Sequence, residues 1–285
     1  MFVTINGNRL LVDVLGPEDG PVLIAHHGAP GLGSRAEPRA SFGRLADTFR
    51  VVVFDARGSG ESEGNPPFSH EQWAADVDAL REWVGAERIV MAGGSYGGFI
   101  SMEYAIRYPD RVRALVLRDT SADHENDKAA RRNAESNSRV AIDWDKFNRI
   151  TDGQIHDNDD LRECWREILP LYDHVYDPDA VERKAEQTWY RYEAHNYAFS
   201  VNLPQYDIKP LLPGISCPTL ITVGRSDWIT PVECSEVIAA LVPDAELVVF
   251  ENSGHSPQVE EGELWTKTVR DFLARHGADQ NVART

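Results

Sequence analysis

The chain has 285 residues, 42% of them hydrophobic, which is enough for one large buried core carrying an insertion. Its 46 Asp and Glu against 29 Lys and Arg give a formal net charge of -17, which opposes binding to nucleic acid or to an anionic membrane surface. Cys164, Cys217 and Cys234 form no CxxC pair or disulfide framework, and the chain does not open on a basic start followed by an apolar run, so a cytoplasmic setting is expected.

In chain order, residues 9–15, 22–25 and 51–54 read as strands, with helical spacing at 42–49 and 71–84. A strand at 89–92, a helix at 97–108 and a strand at 114–117 follow. After an interruption the alternation resumes with strands at 220–223 and 247–250 and helices at 232–241 and 264–276. Apolar strands alternating with helices imply an α/β fold in which helices cover a mostly parallel sheet. The interruption is polar and aromatic, with helical patterns at 128–137, 161–171 and 179–192. Residues 121–207 are therefore expected to form an inserted helical cap over a core of residues 1–120 and 208–276, with 277–285 as a flexible tail. Aromatic residues of the cap, among them Trp144, Trp165, Tyr172 and Phe199, are candidates to line a pocket beneath it.

The sharpest chemical signal is Gly93-Gly94-Ser95-Tyr96-Gly97-Gly98, set between a strand and a helix. A GxSxG turn in that setting exposes a serine hydroxyl on a strained backbone, with glycines where a β-carbon would collide. Serine is a weak nucleophile at neutral pH and needs a base, itself oriented by a carboxylate. Asp227 and His255 follow two later strands in the order serine, acid, histidine, which makes them the expected partners; Asp119, after an earlier strand, is the rival acid. The segment His26-His27-Gly28-Ala29-Pro30-Gly31 also follows a strand. Its small residues fit an oxyanion hole made by the backbone N–H groups of Ala29 and Tyr96, each worth roughly 3–4 kcal/mol of barrier lowering. His27 is read as structural. This chemistry needs no metal or organic cofactor, and its partner is a small-molecule substrate.

These motifs together resemble the α/β-hydrolase superfamily over residues 12–276. Within it, His27-Gly28-Ala29-Pro30-Gly31, the run from Asp55 and Arg57 to Ser62, Gly94-Ser95-Tyr96-Gly97-Gly98 and residues 218–231 look like the proline iminopeptidase group, which removes N-terminal residues from peptides. The resemblance implies an α/β-hydrolase fold and a structural role for Asp55 and Arg57. It also implies acidic anchors for a substrate amino group, one beside the triad aspartate and one in the closing part of the cap. The chain departs at both: Trp228 occupies the first position and Asn196 the second, with Glu193 and Glu186 nearby. An ammonium buried without a carboxylate loses several kcal/mol, roughly. The expected activity is therefore hydrolysis of an ester or lactone of a small, largely apolar substrate, with Trp228, Glu193 and Asn196 as candidate pocket residues. An iminopeptidase-like aminopeptidase is the alternative, and a small-ligand receptor on the same scaffold is the reading from another class.

Overall fold

Uncharged aliphatic runs cannot be left beside water, and the sheet is built from them. In the computed structural model, which describes residues 1–280, eight strands run β1 Phe2–Ile5, β2 Asn8–Leu15, β3 Val22–His26, β4 Arg50–Phe54, β5 Ile89–Gly94, β6 Val112–Arg118, β7 Thr219–Gly224 and β8 Ala245–Phe250. They lie in the order β1-β2-β4-β3-β5-β6-β7-β8, antiparallel only at β1/β2 and β2/β4. Alternate residues feed two cores: Val22, Ile24, Val52 and Met91 on one face, Leu23, Ala25, Val51 and Val90 on the other. The helices His70–Trp83, Tyr96–Arg107 and Val232–Leu241 cover the first face, and Gly262–Arg275 covers the second through Trp265, Val269 and Phe272. No helix among the described residues is long and apolar enough to cross a membrane.

β1 is additional to the strands expected from the sequence. Its cue is Asn6-Gly7, whose φ values of +45° and +77° make the tight turn of a hairpin with β2. The helical spacing at 42–49 resolves instead into a helix Ala36–Ser41 and a 3₁₀ turn Phe42–Leu45, although Phe42, Leu45 and Phe49 are buried as that spacing implies.

Between β6 and β7 the chain forms the helices Asn126–Ser136, Trp144–Thr151, Asn158–Ile168, Pro178–Gln187 and Tyr192–Tyr197, with their own core of Phe147, Ile150, Leu161, Trp165 and Tyr172. Its two ends meet in a bridge between Asp123 and Asp207. The pattern at 179–192 breaks after Gln187 because Arg191 leaves the helix to join the core: its N–H donates to Gly31 O at 2.9 Å and its guanidinium to Gly60 O at 3.1 Å. The expectation of a flexible tail from Gly277 is corrected for its first residues. Ala278 is buried and donates to Leu273 O, and Arg113 donates to the carbonyls of Gly277 and Gln280. The remainder of that tail, 281–285, lies outside the described residues.

Candidate active site

Six strands, β3 to β8, run parallel, so the loops leaving their carboxyl ends gather on one edge of the sheet. Ser95 stands between β5 and the helix Tyr96–Arg107 at φ +54° and ψ -129°, a left-handed conformation that costs a residue with a β-carbon about 1–3 kcal/mol. The neighbouring loop over-determines it. Ser95 N donates to the carbonyls of Arg118 and Asp119 at 2.9 and 3.0 Å, and Ser95 O accepts from the Thr120 hydroxyl at 2.9 Å. A β-carbon on Gly93 would lie 2.2 Å from Gly97 O, and one on Gly97 2.4 Å from His27 O, so this turn closes only with glycine at both positions.

Asp227 lies beyond β7 and His255 beyond β8, and they meet: His255 Nδ1 is 2.9 Å from Asp227 Oδ2. The same carboxylate oxygen accepts the Thr230 hydroxyl at 2.7 Å, while Oδ1 accepts the N–H groups of Ile229 and Thr230 at 3.0 and 3.1 Å. Burial opposes the charge on Asp227, but His255 and the Thr230 bonds outweigh it and hold the carboxyl below its usual range. Asp119 lies close by, so that Asp119, Asp227 and His255 offer polar atoms within 4.8 Å of one another. Histidine bonds to Asp227, while Asp119 accepts Gly224 N–H at 2.9 Å and pairs with Arg118 at 3.3 Å. Burial first, and then the Asp227 charge, pushes the Asp119 carboxyl up. The motif reading offered Asp119 only as a rival; the fold makes it a brace for the loop carrying Asp227.

The loop after β3 lies against Ser95, with a β-carbon on Gly28 reaching 3.5 Å from Ser95 Cβ. Neither Ala29 N–H nor Tyr96 N–H is committed to another acceptor among the described residues. His27 is structural: its Nε2 accepts Ala56 N–H at 3.0 Å, which leaves Nδ1 to donate to Gly28 O at 2.9 Å. Burial lowers its pKa to about 4 and keeps it neutral. Asp55 and Arg57 support the loop after β4, Asp55 accepting from Arg35 and Glu61 N–H, Arg57 gripping Asp76 with two bonds of 2.9 and 3.0 Å. The Tyr96 hydroxyl is held by His70 Nε2 at 2.7 Å and reaches Ala198 O in the insertion.

Ser95 opens on a cavity of about 200 Å³ walled by Tyr96, Phe99, Phe147, Tyr172, Phe199 and Leu203. Asp127, Asp152 and Arg131 also line it. Three candidate pocket residues are corrected. Trp228 is buried one layer back, packed against Phe147 and Tyr172 with ring centroids 6.0 and 5.6 Å away. Asn196 is occupied by both backbone groups of Ile155, and Glu193 is exposed outside the cavity. Thr230, Asp127 and Asp152 carried no motif: Thr230 reaches Asp227 only once the loop after β7 folds back, and Asp127 and Asp152 reach the serine cavity only once the insertion folds.

The chain matches the family described as alpha/beta hydrolase fold over residues 21–262. A proline iminopeptidase of Pestalotiopsis fici is 34% identical over 96% of this chain and 99% of its own. A 2-hydroxymuconate semialdehyde hydrolase of Pseudomonas putida is 28% identical over 92% and 89%. Among solved structures, a thermophilic esterase from Thermogutta terrifontis superimposes with a TM-score of 0.75 at 30% identity, covering 97% of this chain and 99% of its own.

Proposed function

The chain belongs to the alpha/beta hydrolase fold family and is a hydrolase; from that premise we propose that it cleaves a carboxylic ester or lactone of a small, largely apolar substrate through an acyl-enzyme on Ser95. The cavity carries this reading: its walls beside the serine are aromatic and aliphatic. His255 takes the Ser95 proton as Oγ attacks the carbonyl, while Asp227 holds the imidazole and stabilises its charge. The uncommitted N–H groups of Ala29 and Tyr96 receive the oxyanion. His255 then gives its proton to the leaving group and activates the water that releases the acid. None of these steps calls for a metal or organic cofactor. Residues 121–207 serve as the cap, since their Phe147, Tyr172 and Phe199 close over the serine. The three cysteines are unpaired, in keeping with a cytoplasmic setting.

One observation favours the aminopeptidase alternative. Asp127 and Asp152 line the Ser95 cavity, two carboxylates with which a substrate ammonium could pair. Initial rates on p-nitrophenyl butyrate and proline p-nitroanilide separate the two. Ester turnover without anilide cleavage is expected; proline release at comparable efficiency would make Asp127 and Asp152 the amino-group anchors and overturn the ester reading.

A further inference from the structure

The Ser95 cavity, at about 200 Å³, is smaller than the roughly 300 Å³ at which pockets begin to hold drug-sized ligands. A groove of about 790 Å³ lies on the other side of a wall made by the helix Asn126–Ser136 and the loop after β7. That wall is thin, because neighbouring residues in it face opposite ways. On the helix, Ala129 and Asn133 line the groove while Asp127 and Ala130 line the cavity. Residues three or four apart share a helix face, so the helix presents one strip to each space. On the loop, Trp228 lines the groove and Ile229 the cavity.

Asn126 stands where helix and loop meet, and among the described residues it alone lines both spaces. Its side chain is buried, at 5% exposure. Asn126 Nδ2 donates to Ile229 O at 3.3 Å, and Asn133 Nδ2 donates to Trp228 O at 2.9 Å, so two asparagines tie the helix to the loop. The shorter of these ties belongs to Asn133. Asn126 Oδ1 has no hydrogen-bond partner among the described residues. A buried amide with one long bond and an orphaned acceptor adds little to stability, so holding the fold together does not account for this residue.

We propose that Asn126 is a specificity-determining partition: it ends the substrate cavity, closes off the groove beyond, and so limits Ser95 to esters or lactones with a short acyl group. The inference rests on the ester reading with Ser95 as nucleophile. The acyl group is the part concerned, since it stays bonded to the serine through both halves of the reaction while the alcohol departs. Such a limit is steep, one methylene in an apolar pocket changing kcat/KM by about tenfold or more.

p-Nitrophenyl butyrate and p-nitrophenyl octanoate share a leaving group and differ only in acyl length, so their ratio of kcat/KM reads the limit. Wild type is expected to favour the butyrate. Asn126→Ala opens the wall and should raise the octanoate-to-butyrate ratio about tenfold or more, and Asn126→Ser should raise it by less. Asn126→Leu refills the volume without the amide and should keep the wild-type ratio. Ala129 lines the groove and not the cavity. Ala129→Phe should therefore leave butyrate turnover unchanged by itself and, added to Asn126→Ala, cancel the gain on octanoate. Thermal unfolding checks that each variant is folded. An unchanged ratio in Asn126→Ala and Asn126→Ser, a gain that Ala129→Phe does not cancel, or an equal gain in Asn126→Leu would overturn the partition. Turnover of either ester by Ser95→Ala would instead overturn the nucleophile assignment.

Discussion

Thr230 does the work of a second clamp on Asp227: its hydroxyl and N–H hold one carboxylate oxygen each, leaving the Oδ2 that faces His255 little freedom. Thr230→Val removes the hydroxyl bond while keeping the shape, so kcat should fall about tenfold with a smaller change in KM, read by steady-state kinetics. A KM effect with kcat intact would place Thr230 in binding instead. The candidate set Ser95, Asp227 and His255 is legible in the sequence because each follows an apolar run and their order is characteristic, and the fold brings Asp227 and His255 together. Thr230 was not, since a threonine three residues after an aspartate has no signature until the loop folds back. Trp228, Glu193 and Asn196 were misplaced for a related reason: position along the chain in the insertion says nothing about which side of a helix meets the cavity.

At the scale of elements, the segment Arg191–Asn202 straps the insertion to the core. Arg191 reaches Gly31 and Gly60, Asn202 donates to Phe68 O at 2.7 Å, and His195 packs under Gly31 and stacks on Phe199 at 4.4 Å. Among the described residues neither ring nitrogen of His195 has a hydrogen-bond partner, and burial, only partly offset by the neighbouring Asn196, lowers its pKa to about 3. Below pH 6.5 the unfolded chain takes up a proton at this histidine that the folded chain refuses until about pH 3, so the residue subtracts stability as the pH falls through that window. His195→Phe should therefore gain on wild type by about 1.4 kcal/mol for each unit of acidification in that window. Urea unfolding at pH 7.0, 5.5 and 4.5 measures it, and a pH-independent difference would show that His195 is not buried neutral. The strap itself was invisible in the sequence, where 179–192 has continuous helical spacing and only the bonds to Gly31 and Gly60 explain the break.

Across the whole molecule, the sheet was the most legible part, because strands covered on both faces must be apolar throughout and such runs stand out between polar helix faces. The hairpin strand β1 escaped because Phe2–Ile5 is mostly exposed, leaving the Asn6-Gly7 turn as its only strong cue. What holds the sheet to its loops is partly ionic. Arg57 and Asp76, both almost fully buried, join the loop after β4 to the helix His70–Trp83. Asp76→Ala strands a buried guanidinium and should cost about 3–5 kcal/mol, lowering the denaturation midpoint in thermal unfolding; a loss under about 1 kcal/mol would mean that Asn6 O and Asn65 O alone satisfy Arg57.

The proposed role of Ser95 as nucleophile is open to a direct test by intact-protein mass spectrometry after treatment with a fluorophosphonate. One adduct per chain is expected, mapping by peptide digestion to Ser95 and accompanied by loss of ester hydrolysis, with no adduct in a folded Ser95→Ala variant. An unlabelled, fully active wild type, or inactivation through an adduct at another residue, would contradict it.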